Sequence, residues 1–486
     1  MNHQKMIDEA AASVNKMREK ISVSPWKPAY HLSPPAFWMN DPNGFSYYQG
    51  EYHLFYQHHP FSPEWGPMYW GHFKSKDLAH WEEAPIALAP SEEYDRDGCF
   101  SGSAIEKDGK LYLMYTGNQW TGPDHDTDLY QTQCLAVSED GMTFEKIAEN
   151  PVIDPAPQGD IHPHHFRDPK VWKKGDHYYC VLGSRTKDHV GQVLLYRSEN
   201  LIKWEFVNVA AKGEGNFGFM WECPDLFEMD GRTILVMSPQ GMKPEGNLYQ
   251  NLHQAGYVTG DLDYESGTLQ HGDFELLDHG FDFYAPQTME DPTGRRIMTA
   301  WMNMWESQMP EQAEGFAGAM TIPRELVLEK DKLKSKPVPE LEKRRRNHKQ
   351  FKNVAVQGET SLPGVEGNAV ELKVTIDAKE ASQFGLKLRA GNKEETELLY
   401  IKEERSLVLD RSLAGRGPGG VRKAEVELKE NFLELHIFID HSSVEVFING
   451  GEKVMTARIY PKKDSSQIRF FCDDSIELLQ VDKWDL

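Results

Sequence analysis

A short phrase recurs five times in the first two thirds of the chain: a glycine turn, then alternating apolar residues. The copies occupy 50–56, 109–115, 175–181, 231–237 and 294–300, at intervals of roughly 60 residues. A repeat of that length, built from one hairpin signal and long loops, fits a propeller blade better than a solenoid turn. Helical periodicity is scarce after residue 25, and short aromatic and β-branched runs bounded by Gly, Asp and Asn take its place, the pattern of an all-β chain. A second phrase, Asp77-Leu78-Ala79-His80-Trp81 and Asn200-Leu201-Ile202-Lys203-Trp204, with a looser copy at 139–144, reads as a turn between outer strands.

Upstream of each glycine turn, by about six to eight residues, stands a Pro or a Gly: Pro42, Gly102, Pro169, Pro224 and Pro286. The residues before them are Asn40-Asp41, Phe100-Ser101, Arg167-Asp168, Glu222-Cys223 and Tyr284-Ala285. In a propeller the first strand of each blade lines the central channel. Three acids, Asp41, Asp168 and Glu222, are therefore expected at one end of that channel although they lie far apart in sequence. Taken singly, an Asp-Pro step is ordinary turn chemistry. Three acids in step with one repeat, beside Arg167 and several aromatic residues, point to a catalytic site.

The chain has 486 residues, more than one hydrophobic core supports. Four segments are expected: a helical extension over 1–24, a five-bladed β-propeller over 25–334, a linker over 335–349 and a β-sandwich over 350–486. Ile7, Ala11, Val14 and Met17 recur at helical spacing in the first segment. Lys336-Pro337-Val338-Pro339 marks the linker, with a short helix after it, and the basic run 343–346 reads as a solvated face. Alternating strands resume after 350, with Asn449-Gly450 as a hairpin turn.

Net charge of −23 disfavours nucleic acid and anionic membrane as partners. Five widely spaced cysteines form neither a disulfide framework nor a zinc motif. No leader pattern and no bilayer-length apolar run is visible, so the expected location is the cytoplasm. His162, His164 and His165 sit close together before Arg167, but without metal-ligand spacing; they are read as a polar loop bordering the pocket, and no metal or cofactor is expected.

Two carboxyl groups flanking an acetal can cleave it, one protonating the leaving oxygen and the other attacking the anomeric carbon, or activating water where the two stand further apart. Glu222, between Trp221 and nearby aromatics, is expected to carry the raised pKa of an acid. Asp41, hydrogen-bonded by Asn40 and loop amides, is expected to stay ionised as nucleophile. Asp168, preceded by Arg167, is expected to remain ionised and to stabilise developing positive charge. Trp38, Trp65, Phe100, Tyr284 and Trp301 offer flat faces to a sugar, and Gln57 offers hydrogen bonds.

The motifs Trp38-Met39-Asn40-Asp41-Pro42-Asn43-Gly44, Phe100-Ser101-Gly102-Ser103, Phe166-Arg167-Asp168-Pro169, Trp221-Glu222-Cys223-Pro224-Asp225 and Phe283-Tyr284-Ala285-Pro286-Gln287 resemble those of glycoside hydrolase family 32, the β-fructofuranosidases. The resemblance covers nearly the whole chain, and 439–447 is similar to the family's C-terminal sandwich. It implies a five-bladed propeller followed by a β-sandwich and retaining hydrolysis of a terminal fructosyl bond in sucrose, sucrose 6-phosphate or a short fructan. It puts Asp41 at the nucleophile, Glu222 at the acid/base and Asp168 at the transition-state stabiliser. It puts Asn40, Gln57, Trp65, Phe100, Ser101, Arg167 and Tyr284 at substrate contacts, and implies no cofactor. The three histidines lie outside the shared pattern. A fructosyltransferase on the same scaffold, or a fructan-binding protein without activity, is the rival reading; the oligomeric state is not legible.

Overall fold

The computed structural model describes residues 2–486. Five antiparallel sheets, each of four or five strands, follow one another along the chain and form the blades of a propeller. Their inner strands are Phe37–Tyr48, Cys99–Lys107, Phe166–Lys174, Met220–Met229 and Tyr284–Glu290. The recurring glycines make the turn from each inner strand to the next, with φ between +59° and +88° at Gly50, Gly109, Gly175, Gly231 and Gly294. The second phrase is the turn between third and fourth strands. Leu78 and Leu201 take positive φ there, and the Trp81 and Trp204 indoles donate back to their carbonyls at 2.9 and 2.6 Å.

Each inner strand carries a register shift at the same place, the residues just before the repeated Pro or Gly. Such a bulge bends the strand and re-aims a side chain. Two residues beyond each bulge residue lie Asn43, Ser103, Lys170, Asp225 and Gln287, which join the blades in a closed ring. Asn43 accepts from the Gly102 amide, Ser103 from Val171, Asp225 from Thr288 and Gln287 from Phe45, while Lys170 donates to Asp225. The first of these bonds explains why blade 2 has Gly102 where the other blades have proline. The position must donate an N–H, and a Cβ there would stand 2.0 Å from the Met114 carbonyl oxygen. The ring also closes the channel below the acids; a cavity of about 390 Å³ beyond it, lined by Trp172, Glu228 and Arg296, is a separate space.

Between its second and third strands, blade 5 sends the segment 302–323 back to blade 1, where Phe316–Ala317 pairs in parallel with the first inner strand. The last propeller strand ends at Pro337, a 3-10 turn spans Pro339–Arg344, and the strand Arg346–Thr360 begins the second domain. That domain is one ten-stranded sheet folded over on itself as a β-sandwich. The long strand Gln467–Asp485 serves both layers, pairing first with Gln383–Ala390 and then with Val370–Asp377. Leu372, Leu386, Ile437 and Phe470 lie in its core. The N-terminal helix, His3–Ser22, buries Ile7, Ala10, Val14 and Ile21. Its apolar face is turned by one residue from the sequence reading, with Ala10 rather than Ala11 at the centre.

The two domains are pressed together through polar groups. Backbone 279–282 bonds to the sandwich strand Lys453–Arg458, His279 to Val454 and Phe281 to Thr456, both at 2.7 Å. A side chain at Gly280 would collide with Thr456, its Cβ 2.1 Å from the carbonyl oxygen.

Candidate active site

The bulges sort the expected site residues into two layers. The bulge residues themselves are Asp41, Ser101, Asp168, Cys223 and Ala285, and three of them take left-handed backbone angles, with φ +63° at Asp168, +48° at Cys223 and +49° at Ala285. The residues before them are Asn40, Phe100, Arg167, Glu222 and Tyr284. Asp41 and Asp168 thus share the deeper layer, and Glu222 stands in the layer nearer the mouth. Hydrogen bonds run around each layer. In the deeper one Ser101 donates to Asp41 at 2.8 Å, and the Cys223 amide donates to Asp168 at 2.9 Å. The Cys223 thiol lies 3.6 Å from Asp41 and 3.7 Å from Asp168. In the outer layer Glu222 accepts from Arg167 at 2.8 Å, from Tyr284 at 2.6 Å and from Gln240 at 2.8 Å.

This geometry reverses the expected charges. Met220 and Trp221 are fully buried. The Trp221 indole donates to Phe217 instead of walling in Glu222, because neighbours along a strand face opposite sides. Against the upward push of burial, Arg167 and then Tyr284 hold Glu222 below the usual glutamate range. Arg167, expected beside Asp168, reaches that carboxylate only at 4.0 Å. Burial, with the charge of Glu222 adding to it, pushes Asp41 up to about 6. Burial likewise outweighs Arg167 at Asp168 and takes it to about 7. These surroundings favour a proton on the aspartates and the ionised form at Glu222.

A cavity of about 450 Å³ opens above the acids, a size that suits a small saccharide. Asn40, Gln57, Trp65, Phe100, Ser101 and Arg167 line it with the three acids. Gln57 is oriented by the bond it donates to the Cys99 carbonyl at 3.0 Å. Trp65, 38% exposed, meets Phe100 edge to face, and Trp120 closes the same aromatic wall. Tyr284 is buried and reaches the site through its hydroxyl only.

Trp38 and Trp301 offer no face to a sugar. Both are buried in the core beside the site, where the Trp38 indole donates to Asn40 at 2.7 Å and orients it. Trp305, packed on both, reaches the cavity in their place. Of the three histidines only His165 lines the cavity. Arg167 donates to its Nδ1 at 3.1 Å, so the ring proton sits on Nε2 and is donated to the Asp126 carbonyl.

The repeat reading missed Arg185, Gln240, His253 and the loop residues Trp120, His125 and Asp126, all of which line the cavity. Arg185 and Gln240 had a signal. They end the second strands of blades 3 and 4, beyond the seven residues of the repeated phrase.

Known proteins resemble the chain along its whole length. The profile for the glycosyl hydrolases family 32 N-terminal domain matches residues 31–337, and that for the family's C-terminal domain matches 339–485. The chain is similar to sucrose-6-phosphate hydrolase of Escherichia coli, 42% identical over 480 residues and covering 98% of both chains. It is 43% identical over 461 residues to raffinose invertase of Escherichia coli, covering 93% of this chain and 94% of that one. The β-fructofuranosidase of Bombyx mori, solved in complex with sucrose, superposes with a TM-score of 0.88 at 36% identity, over 100% of this chain and 99% of that one. The chain belongs to glycoside hydrolase family 32 and is a β-fructofuranosidase.

Proposed function

We propose that the enzyme cleaves a terminal β-D-fructofuranosyl bond of sucrose or a sucrose phosphate with retention, through a covalent fructosyl intermediate on Asp41. The observation that carries this reading is the layering of the acids. Two carboxyls sit at the bottom of the cavity, and a third sits one layer nearer the mouth. A fructosyl ring held on the floor has Asp41 beneath its anomeric carbon, while the leaving oxygen lies toward Glu222. Asp41 attacks that carbon as Glu222 protonates the departing oxygen. Glu222 then takes a proton from water, which attacks the same carbon and frees fructose and Asp41. Asp168 accepts hydrogen bonds from ring hydroxyls and faces the positive charge of the oxocarbenium-like transition state.

Substrate must move a proton. Glu222 needs one as acid and Asp168 must give one up, the opposite of the distribution that the surrounding residues favour on their own. Sugar hydroxyls donating to Asp41 and Asp168 favour their ionised forms. Expulsion of water by the sugar and the approach of the leaving oxygen favour a protonated Glu222. The proton is already in the cluster and need only change owner.

Among the described residues no helix is long and apolar enough to cross a membrane. All five cysteines stand free, which supports a reducing compartment and the cytoplasmic reading.

Asp41→Asn is the direct test. Sucrose hydrolysis is expected to fall at least about 10³-fold in kcat, with circular dichroism unchanged. Proton NMR of the first turnovers of the unmodified enzyme is expected to show β-fructofuranose before mutarotation. An active Asp41→Asn enzyme, or first-formed α-anomer, would overturn the assignment.

A further inference from the structure

The cavity wall above Arg167 holds a guanidinium that the reaction does not use. Arg185 is buried, its side chain 3% exposed, yet it lines the catalytic cavity. Its Nε has no hydrogen-bond partner. Its terminal nitrogens meet one carboxylate, that of Asp126, at 3.2 Å. Asp126 belongs to the loop 121–128 that blade 2 extends over the cavity, and its side chain is 59% exposed. A buried cation is ordinarily matched by buried acceptors, since burial of an underpaired charge is costly. Here the cation is fixed and its counter-ion is a solvated loop residue.

The position along the wall is informative. Arg167 is paired in register with Gly183, and Arg185 lies two residues further along that second strand, toward the mouth. Two strand residues span roughly 7 Å, about one sugar ring beyond the acid that protonates the leaving oxygen. A chain of contacts runs the same way: Glu222 to Arg167, Arg167 to His165, His165 to the Asp126 backbone, and the Asp126 carboxylate to Arg185. Other groups on this side are His165 and His125, the latter stacked on Trp120 at 3.9 Å. The exposed acid Glu306 stands in a different part of the lining, with Trp305 and His253.

We propose that Arg185 is the residue that anchors a phosphate carried by the leaving sugar. In the empty site Asp126 neutralises the guanidinium. When substrate enters, the phosphate replaces the Asp126 carboxylate on the terminal nitrogens, and the loop acid turns to solvent. Arginine suits the exchange because its planar fork binds carboxylate and phosphate in the same two-toothed geometry. The proposal rests on the fructosidase reading of the same cavity and adds the chemistry of its outer half.

The test compares kcat/KM for sucrose 6-phosphate with that for sucrose, as one ratio for each enzyme. The unmodified enzyme is expected to favour the phosphorylated sugar. Arg185→Gln is expected to lower the ratio ten- to hundredfold, the range for loss of a charge-assisted pair, and Arg185→Lys is expected to restore part of it. Asp126→Asn, on an exposed loop, removes the competing carboxylate and is expected to raise the ratio severalfold. Glucose 6-phosphate is expected to inhibit sucrose hydrolysis more strongly than glucose, and to lose that advantage in Arg185→Gln. An unmodified enzyme with no preference, or a ratio unmoved by both Arg185→Gln and Asp126→Asn, overturns the phosphate anchor while leaving fructosidase activity intact. Failure of the unmodified enzyme to cleave either sugar overturns the underlying reading instead.

Discussion

Two sets of buried acids in this molecule keep different company. At the contact between propeller and sandwich, Asp278, Asp282, Asp440 and Glu445 are matched by Arg324, Arg411, Arg458 and His31. On the channel floor Asp41, Asp168 and Glu222 share one cation, Arg167. At the contact, against the push of burial, arginines or His31 hold Asp282, Asp440 and Glu445 below the usual range; only at Asp278 does burial outweigh its arginine. His31 between two carboxylates is raised to about 9, although burial alone would lower it. On the floor two of three acids are raised instead. Full neutralisation makes a joint that holds one geometry, and partial neutralisation leaves a proton free to move. The first is of use to a scaffold, the second to an acid/base mechanism.

Breaking the matched set has the larger expected effect on stability. Arg324 is fully buried, reaches Asp278 at 3.0 Å, and also bonds Glu445 and Thr456 across the domain contact. Arg324→Met leaves buried Asp278 without its cation and Glu445 with His31 alone. A loss of about 3–5 kcal/mol is expected, read as a lower urea midpoint, or as separate melting of the two domains. If Arg324→Met melts with the unmodified protein, the matched charges do not hold the joint and the contrast with the floor fails.

How much of this contrast was legible in the sequence differs for its two halves. The floor was legible because a repeat indexes it: five bulges at one point of five similar hairpins bring Asp41, Asp168 and Glu222 to the axis whatever the loops do. The direction of their pKa shifts was not, because it depends on which neighbour a side chain faces. Trp221 is next to Glu222 in sequence and on the other side of the strand in space, and Arg167 pairs with Glu222 across a blade boundary rather than with adjacent Asp168. Trp38 and Trp301 were misplaced for the same reason, their rings lying in the core beside the cavity. The domain contact was almost illegible. His31, Arg324 and Glu445 sit in no common motif and are more than a hundred residues apart, so only the docking of the domains defines them as a set.

The unmatched set makes its own prediction for pH. The competent floor has Asp41 and Asp168 ionised and Glu222 protonated, one proton among three acids. A coupled set titrates as a whole. The first proton is lost as pH rises through about 7, and a second is gained as pH falls through about 6. The pH dependence of kcat/KM, which reports the free enzyme, is therefore expected to be a narrow bell with its maximum between about 6 and 7. A plateau reaching to pH 9 would show that the active form keeps its proton well above 7 and would sink this account, whereas a fall beginning below pH 5 would show Glu222 titrating alone.

The smallest effect tests the same imbalance through stability. Asp168 has a folded-state pKa near 7 against 3.8 for the unreacted side chain, so its ionised form is disfavoured by the fold. A carboxyl raised in this sense costs nothing in acid, where both states are protonated. Its cost grows as pH rises from about 4 to about 7 and is constant above. Asp168→Asn keeps an oxygen to accept the Cys223 amide but carries no charge. It is expected to raise the melting temperature by roughly 2–6 °C at pH 8, a gain of about 1–2 kcal/mol, and by much less at pH 4, while hydrolysis is lost. Glu445→Gln at the domain contact, where the acid is matched by Arg324 and His31, is expected to lower the melting temperature at pH 8. Two buried carboxylates would then answer the same loss of charge with opposite signs, and equal signs would mean that the count of nearby cations does not separate a site from a joint.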